Sequence, residues 1–160
     1  MKFLTGMESV EKMRAHSRGT VMFNPTQIMK RHPANPIIKP EDLPGVYCIF
    51  NPSPVMYKGT TILLVSISKF KGKTAETYVA RSKDGINFTI DTKPFISQAA
   101  IEKLGYPYDI ICWNLIDNRT TKIGDTYYIL TPVATMKFDS SSTILGKTKD
   151  FKKYEVIEVI

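Results

Sequence analysis

Two stretches of this chain repeat each other at a nearly constant distance, and no other feature restricts the fold as tightly. Residues 55–67, VMYKGTTILLVSI, read as a β-type run, a Lys-Gly turn and a second run. Residues 119–131, RTTKIGDTYYILT, have the same layout, with Gly59 matching Gly124 (124 − 59 = 65). Further along, YVARSKDGINFTI at 78–90 matches ILGKTKDFKKYEVI at 144–157, and Lys83-Asp84 falls on Lys149-Asp150 (149 − 83 = 66). Two separate matches that keep nearly one offset mark an internal duplication.

Each copy holds four strand candidates, bounded by turn residues. They are 53–57, 61–68, 76–81 and 87–91 in the first copy, and 119–123, 126–132, 142–147 and 153–159 in the second. A four-stranded antiparallel unit that recurs along a chain is the pattern of a β-propeller blade. The predicted fold is therefore all-β, about two propeller blades preceded by an N-terminal arm. A self-contained eight-strand sandwich is the competing architecture. The arm and an extended proline-rich lead-in take residues 1–45, with blade one at about 46–93 and blade two at about 106–160. Within the arm, residues 8–18 read as a short polar helix. Asp84-Gly85 provides the positive-φ residue of a tight turn, whereas Asp150-Phe151 lacks a glycine and is expected to use a different turn. Two blades do not close a ring, so further blades or a second chain are expected to complete it.

Composition removes several function classes. The net charge is +7, from 22 Lys and Arg against 15 Asp and Glu, but the basic residues are scattered and form no nucleic-acid-binding motif. Cys48 and Cys112 lie outside any metal-type spacing, and His16 and His32 are isolated, so no metal site is expected. A disulfide between the two cysteines is left open by their spacing. The first residues lack a secretory apolar core, and no apolar run is long enough to span a membrane. The expected setting is cytoplasmic, with neither a membrane nor a nucleic-acid partner.

Propellers bind ligands at one axial end, next to the residues that enter the innermost strands. Here those segments are IFNPSP (49–54) and LIDNR (115–119), which bring Asn51, Ser53, Asp117, Asn118 and Arg119 towards one pocket. Each has a bland reading as well. Asp-Asn and Asn-Pro are ordinary turn chemistry. Arg119 can simply pair with Asp117 and hold the loop. Tyr108 and Trp113 suit core packing as well as stacking on a sugar ring.

The ordered pieces Asn35-Pro36-Ile37, Phe50-Asn51-Pro52, Arg81 to Phe88, Asp117 to Ile129 and Thr148 to Phe151 resemble glycoside hydrolase family 130. That family comprises β-mannoside phosphorylases and related β-mannosidases, and its fold is a five-bladed β-propeller. The resemblance implies that blades three to five lie outside these 160 residues. It also implies that Asp117 is the catalytic acid, and that Asn51 and Arg119 contact substrate; Ser53 is added as a substrate contact by its place in the expected pocket alone. The activity implied is inverting cleavage of a β-mannosidic bond by phosphate or water. Inorganic phosphate is then a co-substrate, and no metal or organic cofactor takes part. A β-mannoside oligosaccharide is the partner molecule. Three departures accompany the match. Asn118 stands where the family has proline, Ile116 where it has Glu or Tyr, and Ser66 where it has a substrate-binding arginine. Lys69 is the candidate substitute for that arginine, although an ammonium lacks the guanidinium fork. The alternative reading is a non-catalytic propeller fragment that binds sugar or a partner chain.

Overall fold

The duplication becomes two meanders of the same design. In the computed structural model, residues 30–69, 75–103, 114–134 and 141–160 are described. The predicted helix at 8–18, and Tyr108, Cys112 and Trp113, lie outside the described residues. Contacts divide the chain into Met1–Pro33 and Ala34–Ile160, and the second unit carries the sheets.

The first sheet consists of β1 (Cys48–Tyr57), β2 (Thr60–Ser68), β3 (Glu76–Ser82) and β4 (Thr89–Ile90). A one-and-a-half-turn helix, α1 (Gln98–Glu102), follows it. The second sheet consists of β5 (Arg119–Ile123), β6 (Thr126–Ala134), β7 (Ser141–Thr148) and β8 (Glu155–Val159). Both sheets are antiparallel, and in each the spatial order equals the sequence order. Strand β1 starts earlier than expected, at Cys48, and carries a bulge between Phe50 and Ser53. Strand β4 is shorter than the expected 87–91.

The offset is 66 at most of the matching strand ends. Strands β2 and β6 begin at Thr60 and Thr126 (126 − 60 = 66), and β3 and β7 end at Ser82 and Thr148 (148 − 82 = 66). The offset of 65 between Gly59 and Gly124 comes from turn chemistry. In Lys58-Gly59 both residues have positive φ, 47° and 72°, which is a type I′ hairpin. In Gly124-Asp125 the glycine comes first, with φ 59°, as a type II′ turn requires.

The turns after β3 and β7 correct the expectation for Phe151. Ser82 Oγ accepts from the backbone N–H of Asp84 and Gly85, and Asp84 Oδ1 accepts from Ile86 and Asn87. Thr148 Oγ1 accepts from Asp150 and Phe151, and Asp150 Oδ1 from Lys152 and Lys153. The two turns share the same four backbone N–H bonds. Phe151 takes the place of Gly85 and the same left-handed backbone, φ 55° against 73°. That conformation costs a residue with a Cβ roughly 1–2 kcal/mol. Burial offsets the cost, because the Phe151 ring is wholly enclosed and meets Tyr57, Phe95 and Tyr127.

Side chains alternate between the faces of a strand, so each sheet has two separate packing surfaces. Ile62, Leu64 and Val79 of the first sheet meet Tyr127, Ile129, Val133, Ile144 and Phe151 of the second. This seam is the main core, and Ile96, Ile101 and Leu115 complete it. Leu63, Val65, Ile67, Tyr78 and Ala80 point the other way, where Ile38, Leu43 and Val46 of the lead-in cover them. Polar contacts cross the seam too. Arg81 Nη2 donates to Phe151 O at 2.6 Å, and Tyr127 OH donates to Met56 O at 3.0 Å. On β7, Gly146 leaves room for Tyr154; a Cβ there would collide with the ring. Burial pushes the Tyr154 phenol up to about 12.

Candidate active site at the start of the inner strands

Strands β1 and β5 begin their sheets and approach each other across the seam. The segment that leads into β5 belongs to the second sheet but is fastened to the first. Leu115 N–H donates to Ala75 O, and Ala75 N–H donates to Asn114 Oδ1 at 2.9 Å. Thr77 Oγ1 donates to Leu115 O at 2.8 Å. The chain therefore reaches Asp117 along the edge of β3.

At that point the backbone turns left-handed. Asp117 has φ 57°, and the equivalent residue of the first sheet, Asn51, has φ 47° (117 − 51 = 66). Asp and Asn tolerate this region better than most residues. In the first sheet the turn falls in the β1 bulge, which re-aims the strand. The duplication thus places an acid in one copy and an amide in the other, on the same unusual backbone.

Arg119 follows at once. Its Nη1 donates to Asp117 O and Asn118 O, both at 3.0 Å. The expected pairing of guanidinium and acid is therefore made to main-chain carbonyls, and the Asp117 carboxylate is partly exposed beside them. Between them, Asn118 is completely buried. Its Nδ2 donates to Thr77 Oγ1 at 2.8 Å, and its Oδ1 accepts from Thr131 Oγ1 at 2.7 Å.

The other candidates lie in different surroundings. Asn51 is exposed, whereas Ser53 is buried in β1 opposite Leu64. Lys69 follows β2, with its Nζ 5.7 Å from the centre of the Tyr78 ring. Tyr78 belongs to the packing surface turned away from the second sheet. Ser66 is fully buried on β2, and its hydroxyl has no hydrogen-bond partner among the described residues. The structure thus groups Asp117, Asn118 and Arg119, puts Asn51 at the equivalent opening of β1, and sets Lys69 against Tyr78. The sequence reading missed the share of Thr77 and Thr131. Its signal was present, since both threonines fall among apolar residues of central strands. Among the described residues no group of three or more His, Cys, Asp or Glu side chains is arranged for a metal, and no helix is long and apolar enough to cross a membrane.

No family model matches the chain. Among curated proteins it is similar to a β-1,2-mannobiose phosphorylase of Listeria innocua, 37% identical over 78 residues, which is 48% of this chain and 19% of that protein. The solved structure of that enzyme's β-1,2-mannobiose complex superposes with a TM-score of 0.61 at 23% identity, over 79% of this chain and 49% of the other. The chain thus spans about half the length of that structure. A second structure comes from a study of the mannoside phosphorylase family GH130 and its glycoside hydrolases that target β-1,2 mannosidic linkages in Candida mannan. It matches with a TM-score of 0.61 at 19% identity, over 80% of this chain and 40% of its own. A family 32 β-fructofuranosidase of Bombyx mori shares the fold at a TM-score of 0.57 and 19% identity, over 72% of this chain and 23% of its own. The neighbours are propeller-like folds, and the two antiparallel sheets lie within that likeness.

Proposed function

The chain resembles glycoside hydrolase family 130, the mannoside phosphorylases and their glycosidase relatives, in sequence and in fold, and on that premise we propose that it forms the acid-bearing part of a β-mannoside phosphorylase or glycosidase. The observation that carries this reading is the backbone at Asp117. An acid sits in left-handed conformation at the opening of an inner strand, beside a guanidinium held by two carbonyls. No such pair occurs in the first copy, where the equivalent residue is Asn51. Sheet architecture alone therefore does not require it.

In the proposed reaction, the Asp117 carboxylic acid gives its proton to the glycosidic oxygen, directly or through a sugar hydroxyl. The bond from that oxygen to the anomeric carbon breaks, while a phosphate oxygen, or the oxygen of a water that gives its proton to a general base, bonds to the same carbon from the opposite face. This inverts the configuration. Arg119, Asn51, Ser53 and Lys69 are assigned to substrate contacts, and Lys69 must leave its place over Tyr78 to make one. Inorganic phosphate is the co-substrate, without metal or organic cofactor, and the setting is cytoplasmic. The proposed architecture is a five-bladed ring. The open face of the second sheet, with Leu130 and Leu145, then receives a further blade, from another chain or by self-association.

The test is incubation with β-1,2-mannobiose, with and without phosphate, followed by assay for mannose 1-phosphate and mannose. Asp117→Asn should lower turnover by about 10²–10⁴-fold, the usual contribution of a general acid. Failure of the unaltered protein to turn over the disaccharide under either condition would remove the catalytic reading.

One observation favours a second reading. Ser66 is a buried hydroxyl where the family resemblance implies a substrate-binding arginine. A non-catalytic sugar-binding module is consistent with that loss. Calorimetry should then show mannobiose binding without turnover, abolished by Asn51→Ala.

A further inference from the structure

We infer that Asn118 is a positioning residue, which couples the seam between the two sheets to the backbone that carries Asp117 and Arg119. Three observations support this. The Asn118 side chain is wholly buried, and both ends of its amide are used. The two partners stand on different sheets, since Thr77 is on β3 of the first and Thr131 on β6 of the second. The main chain on either side of the amide is the site itself: Asp117 holds φ 57°, and the carbonyls of Asp117 and Asn118 receive Arg119 Nη1.

The buried amide has one orientation, because rotating it would set its oxygen against a Thr77 oxygen whose only proton is already given to Leu115 O. Thr77 is fixed in turn, since its hydroxyl proton goes to Leu115 O. That leaves the Thr77 oxygen to accept from Asn118 Nδ2. Thr131 donates to Asn118 Oδ1, which completes a directed chain from Thr131 through Asn118 and Thr77 to Leu115. The chain closes on the segment that precedes Asp117. Residues 115–118 are therefore held at both ends, and the left-handed turn at Asp117 lies between the fixed points. Asn118 reaches no solvent, so it acts only through its neighbours.

The inference rests on reading Asp117 and Arg119 as the site, but its first readout does not. Backbone NMR couplings that report φ at Asp117, and amide exchange at Asn118 and Arg119, are measured on the whole chain. The variants are Asn118→Ala, Thr77→Val and Thr77→Ser. Asn118→Ala and Thr77→Val should release Asp117 from positive φ and raise exchange at Arg119. Thr77→Ser keeps the hydroxyl and should restore both. If Asn118→Ala does not fold, Thr77→Val, which removes a single oxygen, decides. A variant that melts lower while Asp117 keeps its φ overturns the inference, since Asn118 then serves only packing. Where mannobiose turnover is measurable, Asn118→Ala should reduce it about 100-fold, the scale of a misplacement near 1 Å. Absence of turnover in the unaltered chain would defeat the proposed function alone. The Asp117 couplings would still decide the positioning role.

Discussion

The two sheets share strand order, turn pattern and a nearly constant offset, yet they differ in what covers them. In the first, the cross-strand pair Leu64 and Val79 is wholly buried in the seam. The equivalent pair in the second is Leu130 and Leu145, and Leu130 is 41% exposed. Arg81 of the first sheet reaches across to Phe151 O, whereas its counterpart, Lys147, pairs with Glu155 of its own sheet at 3.0 Å. The backbone pattern of each sheet is thus set locally, by turns and alternation. The energetic weight of each side chain is set by the neighbour laid against it.

The turns after β3 and β7 give the sharpest way to break that comparison. Gly85 and Phe151 have the same backbone role, but a Cβ at Gly85 meets nothing within 4 Å, while the Phe151 ring fills the seam. Phe151→Ala should cost about 3–5 kcal/mol, as for other buried aromatic truncations. Gly85→Ala should cost only the left-handed strain, roughly 1–2 kcal/mol. Urea unfolding of both variants checks this. Equal losses would mean that the Phe151 ring contributes no more than about 1–2 kcal/mol of packing, since Phe151→Ala leaves the left-handed strain in place.

The central strands give the next contrast. Leu64→Ala empties a site enclosed by both sheets and should cost about 2–5 kcal/mol. Leu130→Ala, at the same place in the repeat, should change stability by no more than about 0.5 kcal/mol, as at other exposed positions. Thermal and denaturant melts of the pair measure the difference. A large loss at Leu130 in the isolated chain would show that the face is covered in solution, which fits the proposed packing of a further blade.

How much of this was legible in the sequence follows from the range of each interaction. The strands, their order and the equivalence of Asp84 with Asp150 rest on alternation and short turns, and these are written within a dozen residues. Phe151 was misjudged because turn rules give positive φ to glycine. The aromatic enclosure that overrides them comes from Tyr57 and Phe95, far away in sequence. Asn118 read as turn material beside an acid. Its actual partners lie 41 residues before it and 13 after it, so no local pattern could disclose its burial. Asp117 and Arg119 were picked out as a pair, but the carbonyls that hold the guanidinium depend on a turn that only the fold reveals.

The smallest expected effect separates the two copies by acidity. Both turn aspartates accept backbone N–H bonds, which favour the charged carboxylate and hold each below its ordinary value. Asp84 has N–H bonds from Asn87 and Ile86, with further bonds from Asn87 Nδ2 at 2.7 Å and Ser82 Oγ at 2.8 Å. Asp150 relies on Lys152 and Lys153 N–H. A folded value below the unfolded one gives stabilisation that is present above the ordinary carboxylate range, about pH 4, and is lost as pH falls through the folded value. Because Asp84 has more bonds to lose, Asp150 should take up its proton first. Amide shifts followed from pH 6 downwards should therefore move at Lys152 and Lys153 before they move at Ile86 and Asn87. Asp84 is exposed and Asp150 half-buried at the surface, so the change should stay local, with the core resonances unmoved. The reverse order would mean that the side-chain bonds from Asn87 and Ser82 do not favour the charged form of Asp84, and that the turns differ in more than their fourth residue.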